Sequence, residues 1–275
     1  MNEEMIEGKG GLKLFVRSWR PTGEARAVVV LVHGLKAHSG LFDWAGAKLA
    51  EDGLAAYALD LRGHGRSEGE RLYVEKFADY VADVDAAVQL ARSRWPGVPV
   101  FVLGHSAGGV VASAYALEHQ GELAGFISES FAQEVPAPDA LLAAVKALSR
   151  VAPRARVYAL KNEHFSRDPA FVERMNRDPL IENDRYPAQT VAEIRRAEQL
   201  LAKSFPRMEL PVLILHGTRD KVTKPHGSQL FYDTARSTDK TLRLYDGHFH
   251  DLLNDLGKEQ VMGEVTQWID AHVPS

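Results

Sequence analysis

Hydrophobic positions along the chain fall into short unbroken runs separated by helix-period segments. The runs are residues 27–32 (AVVVLV), 54–61 (LAAYALDL), 99–103 (PVFVL), 125–128 (GFIS), 211–215 (PVLIL) and 241–245 (TLRLY). Continuous apolar runs, rather than strict alternation, predict strands covered on both faces, as in a parallel sheet. Upstream, Gly10-Gly11 divides two extended stretches within residues 8–20 and predicts an antiparallel hairpin at the start of the sheet. Phe77, Tyr80, Val81, Val84, Ala87, Val88 and Ala91 follow i, i+3, i+4 spacing, and Trp95-Pro96-Gly97 ends that helix. Residues 107–118 predict a second helix, whose small residues allow close packing, and residues 256–269 predict the last. Strands and helices in alternation predict an open α/β sheet.

One stretch breaks the alternation. Between Phe131 and Phe205 the pattern is helical, with no strand. Leu141, Leu142, Val145 and Leu148 form one apolar face, and residues 190–205 form another helix. Ser166-Arg167-Asp168-Pro169 and Arg177-Asp178-Pro179-Leu180 carry helix-start and turn chemistry. The expected organisation is a single domain with a core of residues 1–130 and 206–275. Residues 131–205 form a helical cap inserted after the sixth strand. Such a cap would lie over the C-terminal edge of the sheet, where open α/β folds bind ligands. No internal repeat or interdomain linker is visible.

Composition narrows the classes. The chain has 275 residues, 45% hydrophobic and 25% charged, an ordinary globular balance that supports a large core. There is no cysteine, which removes disulfide scaffolds, thiol nucleophiles and Cys-based zinc sites. Lys and Arg number 33 against 37 Asp and Glu, a net charge of −4, so no overall field favours nucleic acid or an anionic membrane. The first residues, MNEEMIEG, are acidic and lack the apolar stretch of a secretory signal. No run approaches the roughly 18 apolar residues of a membrane span. The expectation is a soluble, cytoplasmic protein.

The chemistry concentrates after the strands. Gly104-His105-Ser106-Ala107-Gly108 is a G-x-S-x-G motif between a strand and a helix. A serine on so sharp a turn is lifted out of the sheet, and glycines on either side avoid clashes with the neighbouring strand and helix. Ser106 is therefore the candidate nucleophile. It needs a base and an acid that orients the base, and in such folds these follow in the order Ser, acid, His. Asp220, just past the 211–215 run, is the preferred acid, and Glu129, after the 125–128 run, is its rival. Of the later histidines, His226 opens a helix and His272 ends one. His248 and His250 share the loop after the 241–245 run. His250 directly precedes the next apolar element and is the candidate base, leaving His248 to shape the site. No ligand-spaced histidine and acid cluster suggests a metal.

Two N–H donors are needed for an oxyanion. The backbone of Ala107 is one candidate and that of Leu35, in the loop after residues 27–32, is the other. His33 and His38 read first as braces of that loop. His38, Glu129, Leu142 and Val145 are also the candidate substrate contacts. The Asp60-Leu61-Arg62-Gly63-His64-Gly65-Arg66-Ser67 loop is expected to buttress the glycine-rich turns by ion pairing.

Taken in order, these motifs resemble one family. His33-Gly34 to Gly40, Asp60 to Ser67, Gly104 to Gly109, Ser166-Arg167-Asp168-Pro169, Asp178-Pro179-Leu180, His216-Gly217-Thr218 with Asp220, and His250 with Leu252-Leu253-Asn254 all take part. Together they look like the monoacylglycerol lipase-like, lysophospholipase-like branch (serine aminopeptidase S33-type) of the α/β-hydrolases, over nearly the whole chain. The resemblance implies Ser106, Asp220 and His250 as triad, Leu35 and Ala107 as oxyanion donors, and residues 131–205 as a helical lid. It implies hydrolysis of carboxylic esters, often monoacylglycerols or lysolipids, with no cofactor, and transient contact of the lid with a lipid surface. Two departures bear on substrate choice. Ala107 stands where the family usually has methionine, which widens one wall, and Ser128-Glu129-Ser130-Phe131 replaces a small apolar stretch. The same triad also serves amide, thioester or C–C bond hydrolysis or acyl transfer, and a non-catalytic binding homologue is the reading from another class. Dehalogenase chemistry is disfavoured, because the nucleophile position holds serine rather than aspartate.

Overall fold

The computed structural model describes residues 1–273. Eight strands form one sheet: β1 (Asn2–Glu7), β2 (Lys13–Trp19), β3 (Val28–Val32), β4 (Ala55–Leu59), β5 (Val100–His105), β6 (Gly125–Glu129), β9 (Val212–Gly217) and β10 (Lys240–Tyr245). Their spatial order is β1-β2-β4-β3-β5-β6-β9-β10. The hairpin β1–β2 and the β2–β4 pair are antiparallel, and every later pairing is parallel. This is the expected α/β-hydrolase sheet. The hairpin begins earlier than residues 8–20, since its first strand is Asn2–Glu7 and the two glycines lie in the turn. That strand is mostly exposed and charged, so no apolar run marked it.

The apolar runs serve two faces at once. Val28, Val30 and Val32 of β3 pack with Val84 and Val88 of helix α2 (Phe77–Arg94) and with Val110 of α3 (Ala107–Glu118). Val29 and Leu31 of the same strand point the other way. They join Ala45 and Leu49 of α1 (Asp43–Glu51) and Val265 and Trp268 of α8 (Lys258–His272). A strand with its period-2 side chains buried on both sides has no polar face, hence the continuous hydrophobic run. α3 lies against β5 with ten of its twelve residues buried, which explains its Ala, Gly and Ser content.

Between β6 and β9 the chain leaves the sheet. It forms α4 (Asp139–Val151), the short strand β7 (Arg156–Tyr158), α5 (Pro169–Arg177), β8 (Tyr186–Pro187) and α6 (Ala188–Ser204) before returning to β9, and α7 (Pro225–Thr234) follows β9. The expectation of an all-helical insertion needs correction here. β7 and β8 pair antiparallel, Tyr158 opposite Tyr186. Five residues with a proline among them carry no readable period. α5 begins where the sequence placed a helix start: Asp168 accepts the Ala170 N–H at 2.9 Å, and Pro169 follows it. No helix among the described residues is long and apolar enough to cross a membrane.

Candidate functional site

β5 ends at His105 and α3 begins at Ala107, which leaves Ser106 alone in the turn with φ 57° and ψ −123°. A non-glycine residue there costs about 1–3 kcal/mol and persists only where its surroundings hold it. Here they do: the Ser106 N–H donates to Glu129 O at 2.8 Å, and its carbonyl accepts Gly109 N–H at 2.9 Å. The glycines permit the close approach. A Cβ on Gly108 would lie 2.3 Å from Val32 O, and one on Gly34 would lie 2.7 Å from Ser106 Cβ. The 33–40 loop and the serine turn are thus in direct contact, and Leu35, Ala107 and Ser106 border one cavity.

Asp220 stands in the turn after β9 with its side chain fully buried. Its Oδ1 accepts N–H bonds from Val222 (2.7 Å) and Thr223 (2.9 Å). Its Oδ2 receives the Thr223 hydroxyl at 2.7 Å, His250 Nδ1 at 2.7 Å and His216 Nε2 at 3.1 Å. Burial works against its charge, but His250 and His216 outweigh burial and hold the carboxyl well below the usual carboxylate range. His250 is fully buried in the loop after β10, its ring edge-on to Phe165 and 4.7 Å, centroid to centroid, from that of His105. Its second nitrogen, Nε2, has no hydrogen-bond partner among the described residues. The ends of β5, β9 and β10 thus carry Ser106, Asp220 and His250, with Asp220 bonded to His250 and the His250 ring packed against His105, the residue before Ser106.

His216 and Thr223 are site residues that the sequence reading missed. His216 ends the β9 run, and its Nδ1 takes the Ser228 hydroxyl at 2.7 Å, which leaves Nε2 to donate to Asp220. The available signal was the His216-Gly217-Thr218 motif, in which a histidine directly follows the apolar 211–215 run.

The remaining candidates divide. His33 is a brace: its Nδ1–H donates to Gly34 O at 2.7 Å and its Nε2 accepts Leu61 N–H at 3.0 Å. Burial lowers its pKa to about 4, so it stays neutral. His38 lies outside the cavity wall, accepting Gly40 N–H and contacting Asp178 at 2.9 Å, which ties the loop to the insertion. Leu142 and Val145 of α4 do line the cavity. His248 stacks on Tyr245, while His226 and His272 bind Glu134 and Asp239, away from the gathered residues. The Asp60 loop buttresses differently from expectation. Asp60 receives the backbone N–H groups of Ser39 (2.6 Å) and Arg66 (2.7 Å), whereas Arg62 pairs with Asp83.

Glu129 needs a fuller correction. It is completely buried, does not line the cavity and accepts Leu253 N–H at 3.1 Å through Oε1, while Oε2 has no hydrogen-bond partner among the described residues. Burial and the neighbouring Asp251 push its pKa well above the ordinary value of 4.5. Burial likewise raises Asp251 to about 6. With His105 the two carboxyls bring ligand-capable atoms within 4.8 Å, a grouping that spans three separate segments and so escapes sequence spacing. Leu253 N–H and Asn254 Nδ2 already occupy carboxyl oxygens there. A glutamate whose folded pKa is raised keeps its proton while the unfolded chain loses it. Its contribution to stability is complete below pH 4.5 and is lost as pH rises through the folded value. Glu129→Gln removes that loss and keeps the acceptor for Leu253. The variant is expected to gain Tm relative to the parent between pH 4.5 and pH 8. An equal Tm difference at both pH values would show that Glu129 titrates normally.

The cavity is about 310 Å³, at the small end of ligand pockets. Leu35, Ser106 and Ala107 border it, with Leu141, Leu142 and Val145 of α4 and residues of β7 and α6. Aliphatic side chains dominate the lining.

The comparisons with known proteins show the family. Residues 23–257 match the family described as serine aminopeptidase, S33. The monoacylglycerol lipase of Mycolicibacterium smegmatis is 33% identical over 99% of this chain and 98% of its own length. The monoglyceride lipase of Homo sapiens is 33% identical over 94% of this chain and 87% of its own. The crystal structure of the Paleococcus ferrophilus monoacylglycerol lipase superposes with a TM-score of 0.85 at 28% identity, covering 94% of this chain and 99% of that one. The chain therefore belongs to the serine aminopeptidase, S33 family, in the monoacylglycerol lipase-like branch of the α/β-hydrolases.

Proposed function

We propose that this carboxylic ester hydrolase cleaves monoacylglycerols and related small acyl esters through Ser106, His250 and Asp220. The observation that carries the proposal is a mostly aliphatic cavity that opens on Ser106, with Leu35 and Ala107 beside it. Asp220 holds the His250 proton on Nδ1, which leaves Nε2 free to accept one. His250 Nε2 takes the Ser106 hydroxyl proton as Oγ attacks the ester carbonyl. Backbone N–H groups of Leu35 and Ala107 stabilise the oxyanion. The proton passes to the leaving alcohol and an acyl-enzyme remains. Water, deprotonated by the same imidazole, then attacks the acyl carbon and frees the acid.

The insertion serves as the lid. Leu141 and Val151 of α4 are exposed apolar side chains, suited to brief contact with a lipid surface. The direct test is fatty acid release from monoacylglycerols of increasing chain length, with diacyl- and triacylglycerols and a peptide anilide as comparisons. Hydrolysis of monoacylglycerols alone supports the proposal; cleavage of the anilide alone overturns it. Leu142→Trp fills part of a 310 Å³ cavity and is expected to move the optimum to shorter acyl chains. An unchanged chain-length profile would mean that α4 does not hold the chain.

A further inference from the structure

The loop that carries Leu35 is gripped from the insertion. Lys36, the next residue, is buried and has φ 57°. That left-handed conformation costs a non-glycine residue about 1–3 kcal/mol and persists only where the surroundings hold it. Two bonds from Lys36 lead to the insertion. Its N–H donates to the hydroxyl of Tyr186 in β8, and its Nζ donates to Leu160 O, just past β7, at 2.8 Å. The Tyr186 hydroxyl is buried and has a fixed direction. Burial lowers the pKa of its neighbour His64 to about 3, so that ring is neutral. His64 Nδ1 lies 3.1 Å from Arg62 O, which can only accept, so the ring proton is on Nδ1 and Nε2 accepts the Tyr186 O–H at 3.2 Å. Lys36 N–H, Tyr186 and His64 thus form one directed chain across three segments, and a hydroxyl that donates is a stronger acceptor.

Resting on the ester hydrolase proposal above, we propose that Tyr186 is a positioning residue for the oxyanion donor: from the insertion it holds the Leu35–Lys36 peptide, and so the Leu35 N–H, in place beside Ser106. Leu35 lies between two peptide units, and each is held from a different part of the molecule. The Gly34–Leu35 unit, which carries the Leu35 N–H, is gripped at Gly34 O by His33 of the core. The Leu35–Lys36 unit is gripped at its N–H by Tyr186 of the insertion. An oxyanion donor works by being fixed before charge develops, so a loop free to relax at Lys36 would have to be reordered in every turnover. Tyr186, Lys36 and His64 do not line the cavity, which Leu35 does. Their effect on the reaction is therefore exerted through Leu35 and not through contact with the acyl chain.

The test compares Tyr186→Phe with the parent on p-nitrophenyl dodecanoate and on two inhibitors. With a dodecyl trifluoromethyl ketone, Ser106 Oγ adds to the carbonyl carbon, its proton passes to His250 and the ketone oxygen becomes an oxyanion. The ether 1-O-dodecylglycerol offers the same chain length but forms no oxyanion. Losing an oxyanion donor outright costs about 10²–10³ in kcat, so loosening one is expected to cost about tenfold. Tyr186→Phe should lower kcat by that factor with KM changed less than about twofold. It should raise Ki for the ketone to match and leave Ki for the ether unchanged. A merely structural role would not separate the two inhibitors, whatever it did to Tm. Lys36→Met keeps the backbone N–H and removes only the bond to Leu160 O. It should give the same separation at smaller size, and it decides the matter if Tyr186→Phe does not fold. Equal losses for ketone and ether, or parent-like values for both, overturn this inference alone. No ester turnover by the parent overturns the ester hydrolase proposal with it.

Discussion

Ser106→Ala is expected to lower kcat on any ester substrate by at least about 10⁴-fold while the protein stays folded. The loss follows from the geometry. Ser106 is the one hydroxyl in the turn between β5 and α3, directly against Gly34 and bordering the cavity with Leu35 and Ala107. Alanine keeps the backbone of that turn, including the bonds from Ser106 N–H to Glu129 O and from Gly109 N–H to Ser106 O. Only the oxygen proposed to attack is removed. A fluorophosphonate probe gives a second readout, since it should label the parent enzyme one to one and leave the variant unlabelled. Ester turnover within tenfold of the parent, in variant protein with an unchanged Tm, would mean that Ser106 is not the nucleophile.

Much of the scaffold around this serine was legible in the chain. The apolar runs foretold the parallel strands because β3, β4, β5, β6 and β9 are fully buried, so each strand repeats hydrophobic residues without a polar face. What escaped lies where that signal fails. β1 is an edge strand of charged residues, and β7 with β8 totals five residues. Glu129 shows the limit for sites. Its place at the C-terminal end of β6 could be read from the chain, yet a carboxyl at a strand end can face the cavity or the back of the histidine loop, and one-dimensional spacing does not separate the two. The deciding neighbours, Asp251 and Leu253, lie more than a hundred residues away. His216 was overlooked for the same reason, because its partner Asp220 was assigned by order along the chain and not by what surrounds it.

Asp220→Asn is the second large effect and also decides between the two acids. All five donors that reach Asp220, from Val222, Thr223, its hydroxyl, His216 and His250, require an acceptor. An amide offers one oxygen. If that oxygen keeps the two backbone N–H groups, the NH₂ group faces His250 Nδ1 and His216 Nε2. His250 must then carry its proton on Nε2, the nitrogen that has to accept the serine proton. The expected loss in kcat is about 10⁴-fold with little change in KM, the effect of a wrong tautomer in such a triad. Glu129→Gln should change kcat by only a few-fold, since that carboxyl keeps its proton and binds Leu253 rather than the imidazole. The opposite ranking would move the orienting acid to the end of β6.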